Sequence, residues 1–403
     1  MVFISYVKLL TKIGVFVILF TFCYINKIFL NKFMSRFKSN KIHINIIAMD
    51  DQKNIKEKIS IFSEEDRKDY NDFILKNHNS TIFHTLEWKE IIEKNYDFTP
   101  LYVLARDDNN KIKAIMPLFL IKNLIGCRLI SIPFSIYGGA IGDEEYVKYL
   151  IEKSIELYDH YDCRYIAIKQ FPFKYSKMYE NHGMTRLIDR WSQVLDLKNP
   201  ELLWNEIHKS NRNSIRKAIK NNVKIKKLSD SNDLSEFQKL ELITKKRFGM
   251  GAHSINFFKD IVEKYNSNGN VEIYLAKYKN KIIASCMTLI FKDKVFYGYA
   301  NSDDKYLNLR PNNLILWRVI ENSYEKGYKY LDLGATSYKN KGLFFFKSSF
   351  NSINVPFIIY YYTKRDIIHL VDTPLNNLYK KSIRKTPNFI LKKISPFMIK
   401  HFG

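Results

Sequence analysis

Cysteine is scarce in this chain of 403 residues: there are four, Cys23, Cys127, Cys163 and Cys286. They are scattered and form no C-x-x-C pair, which argues against a disulfide framework and a structural zinc site. A reducing compartment is the natural inference. The nine histidines show no H-x-x-x-H or comparable ligand spacing, so no metal is expected. A G-x-S-x-G elbow is missing, which disfavours nucleophilic hydrolysis. G-x-x-x-x-G-K-[ST] is missing too, which disfavours P-loop phosphotransfer. Acidic residues are outnumbered, 41 against 65 Lys and Arg, for a formal net charge of +24. One origin of that charge is a composition rich in lysine, isoleucine and asparagine throughout. The other is an anionic partner: RNA, a phosphorylated substrate or an anionic lipid surface.

What is present is a globular composition, 46% hydrophobic and 15% aromatic. The length exceeds what one core usually holds, so two domains are expected. Residues 1–48 differ from the remainder, with seven Lys or Arg and no Asp or Glu. Their apolar stretch "IGVFVILFTFCYIN" has 14 residues, short of the roughly 20 that span a bilayer. Two readings stay open. The segment is an anchor whose flanking lysines snorkel and whose charge bias keeps the body cytoplasmic, or the true start is Met49. Localisation is expected to be cytoplasmic, peripheral or N-terminally anchored at the inner face of the membrane.

The pattern from Ser63 onward alternates helices and strands. "SEEDRKDYNDFILKN" and "TLEWKEIIEKN" read as helices, "PLYVLARD" and "IKAIMPLFLIK" as a hairpin, and "CRLISIPFS" as a further strand before the glycine turns of "YGGAIGD". "EEYVKYLIEKSIELYDHY" is a helix and "RYIAIKQ" a strand. The second half repeats this grammar, from strand "SQVLDL" and one long helix "PELLWNEIHKSNRNSIRKAIKNN" to strands "KYLDLGA" and "VPFIIYYYT". A helix begins at Asn312 or Asn313 and closes at Gly327. From Thr363 the tail carries nine Lys or Arg and two Asp, interleaved with Leu, Ile and Phe. Pro374, Pro387 and Pro396 are expected to interrupt any long helix there. The tail either lies on an anionic membrane or is a frayed basic end.

"IHKSNRNSIRKAIKNNVKI", "YLAKYKNKIIASCMTLIF", "YANSDDKYLNLRPNNLILWRVIENSYEKGYKYLDLGA" and "GLFFFKSSF" occur in an order that resembles the FemAB-like acyltransferases. That family has paired GNAT-like domains and includes the aminoacyltransferases of peptidoglycan cross-bridges and the BioF2-like acyltransferases. "STIFHTLEWKEII", "MPLFLIKNLIGCRLISIPF" and "YGGAIGD" look like its first domain. The resemblance runs from about Ser63 to Thr363. It implies an α/β (α+β) fold of two GNAT-like domains in tandem with mixed sheets. Residues 49–170 and 171–370 would be those domains, with 1–48 and 371–403 as the terminal segment and basic tail. It further implies acyl transfer to an amine in a central cleft, with aminoacyl-tRNA or acyl-CoA as co-substrate and no tightly bound cofactor. The acceptor would be a cell-envelope precursor or amino sugar, lipid-linked or free. The other reading is a catalytically inactive GNAT-like protein that binds RNA or an anionic membrane surface.

Site expectations follow. Arg212, Arg216 and Lys220 fall at i, i+4, i+8, with Ile207, Ile215 and Ile219 on the buried side. Either they form a solvated face, or Arg212 and Arg216 grip phosphate with their guanidinium forks. The family's substrate-phosphate contact falls near Lys217. Ile92 stands where the muropeptide-binding members carry lysine, which puts a nucleotide-linked muropeptide acceptor in doubt. "LRPNNLIL" resembles the GNAT donor loop without its glycines, leaving Arg310, Asn312 and Asn313 to meet an anion. Asp332 ends a hydrophobic strand and is either a turn cap or a substrate contact. Tyr299 is core or cleft lining. In "GLFFFKSSF", Gly342 is expected to make a tight turn and Phe344–Phe346 to wall Lys347. The pair Phe346–Lys347 matches the family's "FK", whose lysine stabilises the oxyanion of the tetrahedral intermediate. The plain alternative is a lysine snorkelling from an aromatic rim.

Overall fold

In the computed structural model, residues 58–123, 126–171, 173–364 and 374–402 are described. Both readings of the first 48 residues fall outside them. The strands are β1 Ile59–Ile61, β2 Thr99–Arg106, β3 Ile112–Asn123, β4 Gly126–Ser131, β5 Ile141–Gly142, β6 Ile166–Gln170, β7 Thr185–Asp196, β8 Lys224–Lys227, β9 Val271–Tyr278, β10 Lys281–Phe291, β11 Lys294–Ser302, β12 Tyr330–Ser337 and β13 Ile353–Tyr362. The helices are α1 Arg67–Lys76, α2 Leu86–Tyr96, α3 Glu144–His160, α4 Ser176–Asn181, α5 Pro200–Glu206, α6 Lys209–Lys220, α7 Ser231–Phe248, α8 Ile255–Tyr265, α9 Pro311–Glu325, α10 Lys341–Ser348, α11 Pro374–Lys385 and α12 Asn388–Phe402.

One mixed sheet of 13 strands runs through both halves, in the order β1-β2-β3-β4-β6-β13-β7-β12-β11-β10-β9-β8, with β5 beside β3. The joint is β13, which pairs antiparallel with β6 and with β7. Side chains alternate across each strand, so one strand feeds two cores. On β3, Ile115, Phe119 and Ile121 enter the core under α1, α2, α7 and α8, while Ala114, Met116 and Leu118 enter the core under α3. On β10, Met287, Leu289 and Phe291 join the first of these, and Ile283, Cys286 and Ile290 join a third under α6 and α9. The first core therefore covers one face of both halves.

The structure departs from the expected elements in five places. The helix expected over 200–222 is two, α5 and α6. Ile207 and His208 take extended backbone, and His208 caps α6 by accepting from the Ser210 N–H. Ile219 is 52% exposed, because Ile215 and Ala218 take the inner positions of α6. The β4 strand stops at Ser131, since Ile132 and Phe134 adopt positive φ. Gly342 makes no turn; Asn340 accepts from the Leu343 N–H and starts α10 there. The α9 helix begins one residue early, at Pro311, whose missing N–H suits a first helical position. In the tail, Pro387 separates α11 from α12, but Pro396 lies inside α12. Pro396 has no N–H to donate to the carbonyl of Lys392, four residues before it in α12.

The short β5 strand tests how tightly the first half is built. Gly142 has φ of +132°, and a Cβ there would sit 2.2 Å from the Lys113 carbonyl oxygen. Gly142→Ala is expected to lower stability by about 2 kcal/mol or more. Urea unfolding checks this, and an unchanged midpoint would contradict the packing described.

Candidate active site

The strands β11 and β12 pair in parallel only from Lys294–Phe296 to Tyr330–Asp332. Past that point their pairing stops. There β12 also bulges against β7: Asp332 faces Val194 and Ala335 faces Ser192, so Leu333 and Gly334 share one partner position. Gly334 takes φ of +77°, a conformation that glycine enters without a Cβ penalty. This turns its carbonyl towards α10. Lys347 is 7% exposed, and its Nζ donates to the Gly334 oxygen at 2.9 Å.

Asp332 holds the other side of the bulge. Its Oδ1 accepts from the Gly334 N–H at 2.7 Å and from Ser192 Oγ at 3.0 Å, and its Oδ2 accepts from Tyr137 Oη at 2.8 Å. Burial raises the Asp332 pKa, and the Gly334, Tyr137 and Ser192 donors and the Lys347 charge oppose that rise. Burial pulls the Lys347 pKa down to about 8, against the pull of Asp332. Of the two sequence alternatives for Asp332, the cap is seen, in the carboxylate that holds the bulge, and the same side chain lines a cavity. That cavity, of about 310 Å³, is lined by Asp332, Tyr137, Phe171, Phe296, Val194 and Val355, with Asn79, Thr81, Asp196, Lys294, Tyr330 and Ile353.

Phe346 packs into the core under α9, its ring 5.5 Å from that of Phe350. Phe345 points outward, 54% exposed, with its ring near His208. Asn313 and Lys347 belong to one support. Asn313 Nδ2 donates to Asn211 Oδ1, Asn211 Nδ2 to Ser349 Oγ, and Ser349 Oγ to the Phe346 carbonyl. Asn312 is half-buried and Arg310 exposed, with φ of +59° at the α9 cap. Arg212 is occupied: its Nη1 donates to the carbonyls of Trp204, Asn205 and Ile207, closing α5. Arg216 lies over the Trp204 ring and Lys217 is exposed. Lys220 lines a separate open hollow with Lys224, Lys277 and Lys279. Tyr299 packs on His253, Phe257 and Phe258, with its hydroxyl buried.

Sequence reasoning missed the groups that hold this geometry. Tyr137 lies in the loop 132–140, which Lys169 fixes by donating to the carbonyls of Ile132 and Ser135. Burial and nearby Arg190 bring the Lys169 pKa down to about 7. His84 bonds the Gly139 carbonyl and Gln170 Nε2 donates to that of Ala140. The glycine pair in "YGGAIGD" marked a loop but gave no sign of its partner. Ser192 carried no signal at all. Among the described residues no group of three or more His, Cys, Asp or Glu is placed to hold a metal.

Fold comparison defines the class: two GNAT-like halves in tandem. The chain is similar in structure to a tandem GNAT protein from the clavulanic acid biosynthesis pathway (9% identity, 76% of this chain and 98% of that one, TM-score 0.52). It is similar to the C-terminal domain of a putative lysylphosphatidylglycerol synthetase from Agrobacterium fabrum (14% identity, 74% and 91%, TM-score 0.52). It is also similar to FemX (14% identity, 80% and 99%, TM-score 0.59). The FemAB family matches residues 167–281 and 269–358, so the chain is FemAB-like across β6 to β13, the region that carries Lys347. No curated protein sequence matches the chain.

The buried ammonium has a measurable cost. Its native pKa, about 8, lies below the ordinary 10.5, so the unfolded state holds the proton more strongly between those values. Stability from this group is therefore lowest below pH 8 and rises as pH climbs towards 10.5. Lys347→Met is expected to raise stability at pH 7 by about 1–3 kcal/mol, the lost hydrogen bond included, and to flatten that rise. Chemical denaturation at several pH values checks this. A less stable variant with the rise intact would show that the lysine carries no burial penalty.

Proposed function

We propose that the protein is an N-acyltransferase in which Lys347 stabilises the oxyanion of the tetrahedral intermediate. The observation that carries this reading is a nearly dry ammonium fixed on the Gly334 carbonyl, beside Asp332, where β11 and β12 part. A preplaced cation in low dielectric stabilises developing negative charge far more than one in water. The amine acceptor enters the cavity above Asp332 and Tyr137. Its nitrogen bonds to the acyl carbonyl carbon, and the bond from that carbon to the donor's ester oxygen or thioester sulfur breaks. Asp332, with its raised pKa, accepts the amine proton and returns it to the departing oxygen or sulfur, which leaves as the tRNA hydroxyl or the thiol. The donor is aminoacyl-tRNA or an acyl thioester such as acyl-CoA, used as co-substrate with no resident cofactor. The acceptor is a cell-envelope precursor or an amino sugar. Arg216 and Lys217 contact phosphate of the substrates, and Phe346 fixes the inner end of α10.

Protein supplied with charged tRNAs or acyl-CoAs and amine-bearing envelope precursors should transfer label. Lys347→Met should lower kcat by about 10²–10³. Because the ammonium must be charged to act, kcat should fall above pH about 8 in the parent. That falling limb should move to higher pH in Lys347→Arg. Equal transfer by Lys347→Met would remove the mechanism. Failure of every donor would favour the inactive, binding-only protein.

A further inference from the structure

The tail helices α11 and α12 are built against α7, with Leu391 and Met398 in a small core shared with Leu242, Ala252 and Ile383. Those contacts account for the inner face of α12. Its outer face is unusual. Phe389 is 71% and Phe397 44% exposed, and Lys392 and Lys393 lie between them on the same helix side. Phe389 lies largely in water, and Phe397, its ring 4.3 Å from that of His401, keeps its outer side exposed; two such rings flanking two ammonium groups do not aid solubility.

The patch extends across neighbouring elements. Lys246 Nζ donates to Asn388 Oδ1, which puts the end of α7 beside Phe389. A Cβ on Gly249 would lie 2.8 Å from Lys380 Cα, so Phe248 and Met250, 42% and 48% exposed, flank α11. Lys380, Lys381, Arg384 and Lys385 are exposed on α11. Residues 374–402 contain seven Lys or Arg and no Asp or Glu. The bordering carboxylates Asp304 and Asp97 are taken by Arg247 and Lys400. Arg384 Nε meanwhile donates to the Arg247 carbonyl, which ties the two helices together.

We propose that this face docks on an anionic phospholipid bilayer. Its four exposed apolar side chains enter the headgroup boundary and its lysines meet lipid phosphates. Charge complementarity selects the partner, since an acid-free basic surface interleaved with apolar tips matches an anionic interface. An RNA backbone would use the cations but give Met250 and Phe248 no apolar medium. No described helix is long and apolar enough to cross a membrane, and this mode of attachment needs none.

The test uses the full chain and its full-length variants, so residues 1–48 are common to all. Sedimentation with vesicles of phosphatidylglycerol and phosphatidylcholine should show binding that weakens with salt and is lost on pure phosphatidylcholine. Lys392→Gln with Lys393→Gln should weaken binding about fivefold per charge. Phe389→Ser with Phe397→Ser should weaken it about tenfold or more. Thermal melting controls for folding, and these exposed sites should leave the melt unchanged. Binding indifferent to both variants, or binding to RNA with none to vesicles, would overturn the proposal. So would equal binding to neutral and anionic vesicles.

Discussion

An ammonium ion held out of water organises the region between the two halves. Lys347 loses most of its hydration on α10, and the Gly334 carbonyl and the nearby Asp332 carboxylate replace it. The carboxylate is equally dry, and the donors of Gly334, Ser192 and Tyr137 oppose the rise that burial gives its pKa. The compensation is partial for the lysine, since its pKa still falls despite the nearby carboxylate. Gly334 serves both: its N–H faces Asp332, its carbonyl faces Lys347, and only a bulge with positive φ turns the two groups to these partners.

That dependence reaches into the first half of the chain. Tyr137 reaches Asp332 from the loop 132–140, and three buried polar groups fix the loop's backbone: Lys169, His84 and Gln170. His84 stays neutral because burial brings its pKa down to about 4. Gly139 has no room for a side chain, since a Cβ would lie 2.2 Å from Gln170 Oε1. The cavity is consequently walled by both halves, with Asn79, Thr81 and Tyr137 from one and Asp332, Phe296 and Val355 from the other. The sheet makes this possible by seating β13 between β6 and β7.

The order of elements was legible in the sequence because apolar periodicity dominates it, and the strands and most helices fall where that period changes. The break at Ile207–His208 was not legible. Helical spacing continues through it, and the cause is tertiary: Ile207 is buried and Arg212 reaches back to the carbonyls of α5. The lysine of the site was legible through a motif, but its neighbours were not, since they come from separated strands and one loop. Tyr137 and Asp332 are 195 positions apart, joined by one hydrogen bond. Cys127 and Cys163 make the same point: widely spaced in sequence, their sulfurs lie 2.8 Å apart. Contacts of this kind follow from strand order, which local patterns do not encode.

"GLFFFKSS" reads as an aromatic wall around a cation, but a helix gives each residue its own surroundings. At 100° per residue, Phe345 and Phe346 cannot share a face. Phe346 goes to the core, Phe345 to solvent beside His208, and Lys347 to the bulge. The polar partner of the lysine is therefore the bulge, at the Gly334 carbonyl. This distinction bears on function. A lysine snorkelling from an aromatic rim would keep its charge in water at little cost, and its pKa would stay ordinary. Here the charge is turned inward, and burial brings its pKa down to about 8. A fold that carries such a penalty beside a carboxylate that lines a cavity has the arrangement expected where charge is used rather than merely tolerated.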